Sequence, residues 1–339
     1  MSISSPSNTL PLLKSGRVSF EEALIDQYNV LHRLNYPKKQ EEFWSYLVSR
    51  KSDIEAIVRF HLTVDRCQVA DESQWLYGSY NVCIPVYINW PADERVLVRI
   101  PLPYKIGEAH NPGNVEEKLR CEVATYIWMA EHCPAVPIPS LHAFAFPNGR
   151  TLYRGWSTAL GHLGDKQRRN ILFHDISRIM LSINRTALPR IGSLTLNDDG
   201  FIHLTNRPLT LRLQTMENEG IPTIPRHSTY GSIEPYILDM LQCHDNRIRR
   251  QPNAIHSTND GEQQLAALTM MRGLLPQFVS REHRDGQFVL TLTDLHPSNI
   301  FVDDDWHITS LIDLEWACSF PIEMQTAPYW LNRSTYRRH

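Results

Sequence analysis

Residues 288–317 read FVLTLTDLHPSNIFVDDDWHITSLIDLEWA, and this stretch decides most of the fold. Phe and Leu alternate with Val and Thr over residues 288–292, which predicts a β-strand that runs into a polar loop over residues 293–298. Residues 300–302 and 307–312 then predict a β-hairpin whose turn is made of aspartates. The stretch therefore predicts a strand, a polar loop and a hairpin in succession.

Three oxygen-bearing side chains are predicted to meet at the open end of this hairpin. Counting back from the turn places Asn299 opposite about residue 311, so Asn299 and Asp313 share that end. Asp294 enters from the loop beside them. Two carboxylates and an amide make an oxygen-rich site for Mg²⁺, which prefers a few such oxygens together with substrate phosphates. The spacing Asp-x₄-Asn, a short hairpin and a second Asp is typical of kinase-like catalytic loops, in which the first Asp holds the acceptor hydroxyl and the other two residues carry metal.

Other interpretations of the same stretch stay open. The loop and the hairpin turn could hold Asx-turns without any chemistry, and the aspartates at 303–305 are interpreted as a solvated turn. A metal pair of Asp294 and His296 is disfavoured, because a proline follows the histidine and other ligands are lacking nearby. Glu315 is interpreted as solvating the end of the hairpin, and a position facing a cleft is the alternative.

The chain begins with predicted helices. Ser19 and Glu22 have the spacing of a capping box, which predicts the start of a helix that Pro37 ends. Two further helices are predicted over residues 39–49 and 51–62. These elements predict a helical N-terminal segment.

Strands and one long helix follow. Residues 74–88 and 95–101 are rich in Val, Ile and Tyr and predict a β-hairpin. Asn114 and Glu117 have the spacing of a second capping box at the start of an amphipathic helix. Glu122 falls on the apolar face of that helix, so it needs a partner.

The rest of the chain predicts a change from strands to helices. Residues 141–146 and 151–156 predict a second hairpin, and residues 193–204 a third. Helices are predicted over residues 165–185, and near 232–246 and 261–279. A mostly β segment followed by a mostly α segment predicts an α+β protein of two lobes with a cleft between them.

The composition excludes several classes of protein. Of the 339 residues, 42% are apolar and 21% charged, as in globular proteins and unlike disordered or fibrous chains. The 34 basic and 37 acidic residues leave a formal charge of −3, which disfavours nucleic acid and membrane surfaces as partners. The apolar runs are far shorter than the roughly 20 residues that span a bilayer. The six cysteines contain no CxxC pair and the first residues lack a secretory signal, so we expect a cytoplasmic chain with reduced cysteines.

Four short motifs together resemble a known family. They are GSYNV at residues 78–82, VRIP at 98–101, CEVATY at 121–126 and the stretch at 288–317. In this combination the chain resembles the aminoglycoside phosphotransferase-like (phosphotransferase enzyme) family, in its fungal branch. The resemblance implies an α+β, bilobal protein-kinase-like fold with a small β-rich N-lobe, a larger helical C-lobe and an ATP-binding cleft between the lobes.

The resemblance also implies roles for individual residues. Asp294 is implied to be the catalytic base, and Asn299 and Asp313 are implied to be Mg²⁺ ligands. The residues implied to bind ATP are Gly78, Ser79, Asn81, Arg99 and Glu122. Within that set, Glu122 would pair with the cation of the third strand, here Arg99, which would account for a carboxylate on an apolar helix face.

Domains and function follow from the same resemblance. The implied domains are a helical extension over residues 1–69, an N-lobe over 70–156, a shortened hinge over 157–164 and a C-lobe with the catalytic loop over 165–339. We expect an ATP- and Mg²⁺-dependent phosphotransferase that moves the γ-phosphoryl group to a hydroxyl of a small molecule, and an acidic pocket would suit a cationic amino-alcohol. The alternatives are a kinase-like pseudoenzyme that acts as a binding or scaffold protein, since the hinge is short, and a metal-dependent hydrolase.

Overall fold

A computed structural model describes residues 9–12, 16–26, 28–88, 94–145, 151–153 and 166–331. The chain combines helices with β-sheets and is of class α+β, as expected. It divides into two compact units. The first comprises Met1–Pro112, Thr215–Thr223 and Leu241–Gly273, and the second comprises Gly113–Gln214, Ile224–Met240 and Leu274–His339. The predicted hinge at 157–164 lies outside the described residues, and the predicted domain boundaries stay predictions.

A four-stranded sheet organises the first unit. The elements up to residue 112 are β1 (Thr9–Leu12), β2 (Gly16–Ser19), α1 (Phe20–Ile25), α2 (Val30–Arg33), α3 (Tyr36–Ser49), α4 (Lys51–Leu62), β3 (Cys67–Val69), β4 (Leu76–Tyr77), β5 (Asn81–Ile88) and β6 (Glu94–Pro101). β1 and β2 form a separate antiparallel pair. In the larger sheet, β3 and β4 both pair with one edge of β5, and β6 pairs with the other edge along its whole length. The predicted β5–β6 hairpin is therefore confirmed.

The helices of the predicted N-terminal extension pack on this sheet. Val82, Ile84 and Val86 lie on one face of β5 and are fully buried. They share a hydrophobic core with Leu47 of α3 and Ile54 of α4. Burying one large aliphatic side chain contributes about 1.5–3 kcal/mol, so this shared core is the main term that holds the two helices on the sheet.

Two of the three predicted N-terminal helices are confirmed with shifted ends, whereas two short helices, α1 and α2, take the place of the one predicted from Ser19 to Pro37. α4 covers the predicted residues 51–62, and α3 begins at Tyr36, earlier than predicted. Pro37 lies in the first turn of α3, where its missing N–H loses no hydrogen bond, so it begins a helix instead of ending one. Ser19 and Glu22 form the predicted capping box. The helix that they cap is only 6 residues long.

From residue 113 onward the elements are α5 (Asn114–His132), β7 (Ala143–Ala145), β8 (Thr151–Tyr153), α6 (Lys166–Ile183), β9 (Ala187–Leu188), β10 (Ser193–Leu196), β11 (Ile202–Asn206), α7 (Leu211–Asn218), α8 (Ile233–Arg250), α9 (Thr258–Phe278), β12 (Phe288–Leu292), β13 (Ile300–Val302), β14 (Ile308–Leu311) and β15 (Ala317–Pro321). β12 lies between β9 and β15 in an antiparallel sheet. The hairpins β7–β8, β10–β11 and β13–β14 pair as predicted. Strand β15 was not predicted.

Each helix that the structure describes is too short or too polar to cross a membrane.

The core of the second unit forms around α5. Val123, Ala124 and Met129 of this helix are buried in one cluster with Leu290 of β12 and Leu314, which follows β14. The cluster therefore fixes α5 against the strand that leads into the polar loop and against the segment that ends the hairpin. These are the two parts of the chain that carry the predicted site residues.

The second predicted capping box is wrong. Gly113, with a φ of +94°, occupies the N-cap position of α5, and no side chain caps the helix there. The Asn114 side-chain oxygen instead accepts a hydrogen bond from the Arg226 guanidinium at 2.8 Å. Glu117 accepts two hydrogen bonds from the buried Arg207, each at 2.8 Å, and one from Arg226 at 3.0 Å. Both side chains are engaged by arginines from distant parts of the chain, which local spacing does not reveal.

Candidate active site

The polar loop after β12 brings Asp294 and Asn299 together. The carbonyl oxygen of Asp294 accepts hydrogen bonds from the His296 N–H at 2.8 Å and from the Asn299 side-chain amide at 3.0 Å. The same amide approaches the Asp294 carboxylate oxygen Oδ2 at 3.5 Å. Asn299 is buried, so its orientation is set by these contacts and by the Ser298 hydroxyl, which donates to Asn299 Oδ1 at 3.1 Å. The loop is folded around these two residues.

The hairpin that follows places Asp313 beside Asn299. Ile300 pairs with Leu311 across β13 and β14, and the N–H of Ile312 donates to the carbonyl of Asn299 at 3.0 Å. Asn299 therefore faces residue 312, one position from the expected 311, and Asp313 comes next. Asp313 has a φ of +61°, in the left-handed region that Asp tolerates better than most residues. The predicted meeting of the two residues at the open end of the hairpin is confirmed.

Asp294 and Asp313 line one pocket. Its volume is about 240 Å³ with open solvent space included, and its lining consists of Leu292, Thr293, Asp294, Leu295, Leu311, Ile312, Asp313, Leu314, Trp316 and Ala317. Most of these side chains are apolar. Two carboxylates therefore face a small space with largely apolar walls.

The pocket raises the pKa of Asp294. Burial of the carboxyl is the largest cause, and the negative charges of Glu315 and Asp313 add to it, so the pKa rises from 3.8 to about 6. The charge of His296 and the hydrogen bond from Asn299 act in the opposite direction and are smaller. A carboxylate with a pKa of about 6 is mostly ionised at neutral pH and accepts a proton more readily than an ordinary aspartate. Asp294 has the properties of a general base.

The oxygen set fits Mg²⁺ only when other ligands complete it. Within the described residues, no group of three or more His, Cys, Asp or Glu side chains is arranged to hold a metal ion. Asp313 and Asn299 supply one carboxylate and one amide oxygen, and Mg²⁺ is commonly held by one or two carboxylates plus substrate phosphates and water. The disfavoured Asp294–His296 metal pair gains no support, since His296 Nδ1 lies 2.8 Å from the Ser298 hydroxyl.

Tertiary contacts brace the loop at two points. The Thr293 hydroxyl donates to the carbonyl of Trp316 at 2.5 Å, and the Trp330 indole N–H donates to the carbonyl of Leu295 at 2.8 Å. Members of the resembled family commonly have His-Gly-Asp where this chain has Leu292-Thr293-Asp294. Here the threonine hydroxyl and a distant tryptophan hold the loop on either side of Asp294. Sequence reasoning identified neither contact.

Glu315 differs from its sequence-based interpretation. It does not solvate the end of the hairpin, because it is 1% exposed and its carboxylate lies 3.3 Å from the ammonium of Lys118, which is fully buried on α5. Sequence reasoning did not identify Lys118 at all. The sequence holds only a weak sign that Lys118 is buried. Lys118 lies one helical turn before Glu122, and Glu122 falls on the apolar face of the same helix.

The hairpin turn is the solvated turn that was predicted. Asp303, Asp304 and Asp305 are exposed, and the Asp303 carboxylate accepts from the N–H groups of Asp305 and His307 at 3.0 and 2.9 Å. On α6, the carboxylate of Asp175 accepts from the Ile308 N–H at 3.1 Å and contacts His307 Nδ1 at 3.1 Å. Asp175 thereby fixes the hairpin to α6.

The residues implied to bind ATP lie on three elements. The N–H of Gly78 donates to the carbonyl of Asn81 at 2.8 Å, so Ser79 lies in the tight turn between β4 and β5. A Cβ added to Gly78 would lie 3.0 Å from that carbonyl oxygen, which favours glycine there. Arg99 faces Cys83 across β5 and β6 in the first unit.

Glu122 belongs to the second unit, where it is buried on α5. Its pairing with Arg99, and the cleft that would bind ATP, stay predictions.

Comparison with known proteins gives no match, since no family model, curated protein or solved structure is significantly similar to the chain.

Proposed function

We propose that this chain is an ATP- and Mg²⁺-dependent phosphotransferase that moves the γ-phosphoryl group to a hydroxyl of a small molecule. One observation carries the proposal: at the open end of the β13–β14 hairpin Asp294 and Asp313 line one pocket, and the buried Asn299 is hydrogen-bonded to Asp294. A base and two metal-binding oxygens in this order along the chain suit phosphoryl transfer, in which the protein mainly positions groups and stabilises charge. A bilobal protein-kinase-like fold is part of the same proposal.

Each side chain has a definite task in this reaction. The Asp294 carboxylate accepts the hydrogen bond of the acceptor hydroxyl, orients it towards the phosphorus and takes its proton. Asn299 holds Asp294 through the side-chain amide, and its oxygen together with the Asp313 carboxylate would hold Mg²⁺. Mg²⁺ held there would offset the negative charge of the nucleotide phosphates. The largely apolar lining of the pocket leaves few polar groups besides these carboxylates to bind the acceptor.

The nucleotide would be held by residues outside the hairpin. By the resemblance these would be Gly78, Ser79 and Asn81 at the tight turn before β5, with Arg99 as the cation. Guanidinium binds two phosphate oxygens in a fork, whereas lysine is a compact point charge. The negative charge of Asp294 beside the acceptor would suit a cationic amino-alcohol.

The alternative is a kinase-like pseudoenzyme that binds a partner without turnover. It is favoured by the apolar Leu292 and the hydroxyl of Thr293 before Asp294, where the resembled family has a histidine and a glycine. A pseudoenzyme keeps the pocket without transferring phosphate, so a turnover measurement separates the two.

The first test is binding of ATP with and without Mg²⁺, measured by thermal unfolding. A ligand at 100 times its Kd stabilises a protein by about 2.7 kcal/mol, which is about 4 °C for a chain of this length that unfolds as one unit. Millimolar ATP is expected to raise the melting temperature in Mg²⁺ and much less in EDTA. An unchanged melting temperature at millimolar Mg·ATP would exclude the phosphotransferase.

The second test is ADP release with a panel of acceptors: aminoglycosides, sugars and cationic amino-alcohols. Asp294→Asn is expected to lower turnover at least about 100-fold, the size of a general-base contribution, while the Mg·ATP thermal shift remains. Asp304→Asn makes the same chemical change at the exposed turn of the hairpin and serves as the matched control with wild-type turnover. Wild-type binding of Mg·ATP without ADP release for any acceptor would favour the pseudoenzyme.

A further inference from the structure

A fully buried ion pair joins α5 to the segment that carries Asp313. Lys118 is 0% and Glu315 1% exposed, and their charged atoms lie 3.3 Å apart. The Lys118 ammonium also lies 5.6 Å from the centre of the Trp316 ring. Removing both charges from water is so unfavourable that an apolar pair of similar volume often gives equal or greater stability. Stability alone therefore does not account for these charges.

The pair lies next to a pocket residue with an uncommon backbone conformation. Asp313 is left-handed, which Asp tolerates better than most residues but which contacts on either side still help to hold. On its N-terminal side, the Ile312 N–H is bound to the Asn299 carbonyl at 3.0 Å. On its C-terminal side, the carboxylate of Glu315 is held by Lys118. The backbone of Asp313 is thus fixed from both directions.

The pair also fixes where the Glu315 carboxylate lies. The residues of this segment that line it are Asp313, Leu314, Trp316 and Ala317, while the Glu315 carboxylate lies against Lys118. The indole N–H of Trp316 donates to the Gln214 side-chain oxygen at 2.8 Å, which holds the next residue as well. A third carboxylate turned towards the pocket would compete with Asp313 for a cation.

We propose that Lys118 and Glu315 are positioning residues: their ion pair holds Asp313 in its left-handed conformation and aims its carboxylate at the metal. The inference rests on the proposed function, because it concerns the same metal position. Lys118 acts through Glu315, and Glu315 acts through the backbone that it shares with Asp313. Residues that orient metal ligands in this indirect way change metal affinity by about 10–100-fold when they are replaced.

The experiment measures the Mg²⁺ concentration that gives half of the ATP-dependent rise in melting temperature. Lys118→Met leaves a buried negative charge and can fail to fold, so the main variant is the double replacement Lys118→Met/Glu315→Leu, which removes both charges. We expect it to fold and to need about tenfold more Mg²⁺ than the wild type. The exchange Lys118→Glu/Glu315→Lys restores the ion pair and is expected to recover most of the Mg²⁺ affinity.

A matched control comes from the same helix. Glu117→Gln removes a buried charge next to Lys118 that pairs with Arg207 and does not line the pocket. It is expected to lower the melting temperature without changing the Mg²⁺ requirement. A double variant that folds and has the wild-type Mg²⁺ requirement would overturn the inference and leave the proposed function intact. A wild-type protein that is not stabilised by Mg·ATP would overturn both.

Discussion

Replacing Asp294 by asparagine is expected to make the folded protein more stable at neutral pH while it removes the proposed base. Burial of the carboxyl, with added repulsion from Glu315 and Asp313, raises the pKa of Asp294 from 3.8 to about 6. Because the pKa is raised, the folded protein binds this proton more tightly than the unfolded chain does. The carboxyl therefore stabilises the fold fully below about pH 4, and that stability is lost as the pH rises through about 6.

The size of the effect follows from the shift. A pKa change of one unit corresponds to about 1.4 kcal/mol. The rise in the Asp294 pKa from 3.8 to about 6 therefore limits the gain in the free energy of unfolding to about 3 kcal/mol. Solvent reaches part of the side chain, which lowers that figure. Asparagine keeps the shape and carries no charge at any pH. The stability gain of Asp294→Asn should be small at pH 4, rise through pH 6 and stay constant above it.

Urea denaturation in Mg²⁺-free buffer, followed by tryptophan fluorescence at several pH values, measures this difference. Asp304→Asn is the control, because Asp304 is exposed at the hairpin turn and its replacement should change little at any pH. A destabilised Asp294→Asn protein, or a stability difference that is constant between pH 4 and pH 7, would refute the reasoning. Such a result would mean that the pocket does not disfavour the ionised carboxyl.

Two further predictions concern other parts of the chain. Gly107→Ala should destabilise the protein by more than the roughly 1–3 kcal/mol of backbone strain alone, because Gly107 has a φ of +79° and a Cβ there would lie 2.8 Å from the Asn218 backbone nitrogen. Gly16→Ala is the matched control in urea denaturation, since Gly16 has the same φ and no described residue within 4 Å of an added Cβ. An equal loss of stability in both variants would contradict the steric argument. Burial raises the pKa of the Cys121 and Cys318 thiols, so both should react with a thiol reagent at pH 8 only after the protein unfolds. Mass spectrometry of the labelled peptides measures this reaction. Rapid labelling of either cysteine in the folded protein would contradict their burial.

Much of the candidate site could be predicted because its residues are close in sequence. Asp294 and Asn299 share one loop, and Asp313 is joined to Asn299 by a short hairpin whose register follows from its turn. Alternation of apolar residues identified β12, β13 and β14. The one-residue difference in the position opposite Asn299 reflects the register shift between Phe301 and Val302.

Other predictions failed where a distant residue supplied the partner. The spacing of Asn114 and Glu117 fits a capping box, but arginines far along the chain hold both side chains, and Gly113 begins the helix. The sequence predicts that Pro37 ends a helix, whereas Pro37 lies in the first turn of α3, which packs on the sheet of β5. At the start of α5, contacts with distant arginines outweighed a capping preference of about 1 kcal/mol. Pro37 meets the local preference of proline for the first turn of a helix, and the packing on the sheet shows that the turn belongs to α3.

The sequence by itself determined the α+β class, most helices and strands and the meeting of Asp294, Asn299 and Asp313, because hydrogen-bond periodicity and turn chemistry depend on neighbouring residues. Only the tertiary structure decided which charges are buried and what faces them. Glu315 lies two residues from Asp313, yet its environment is set by Lys118, from a helix far earlier in the chain. The cost of burying a charge depends on the distance to its partner and on the exclusion of water, and both are properties of the folded chain.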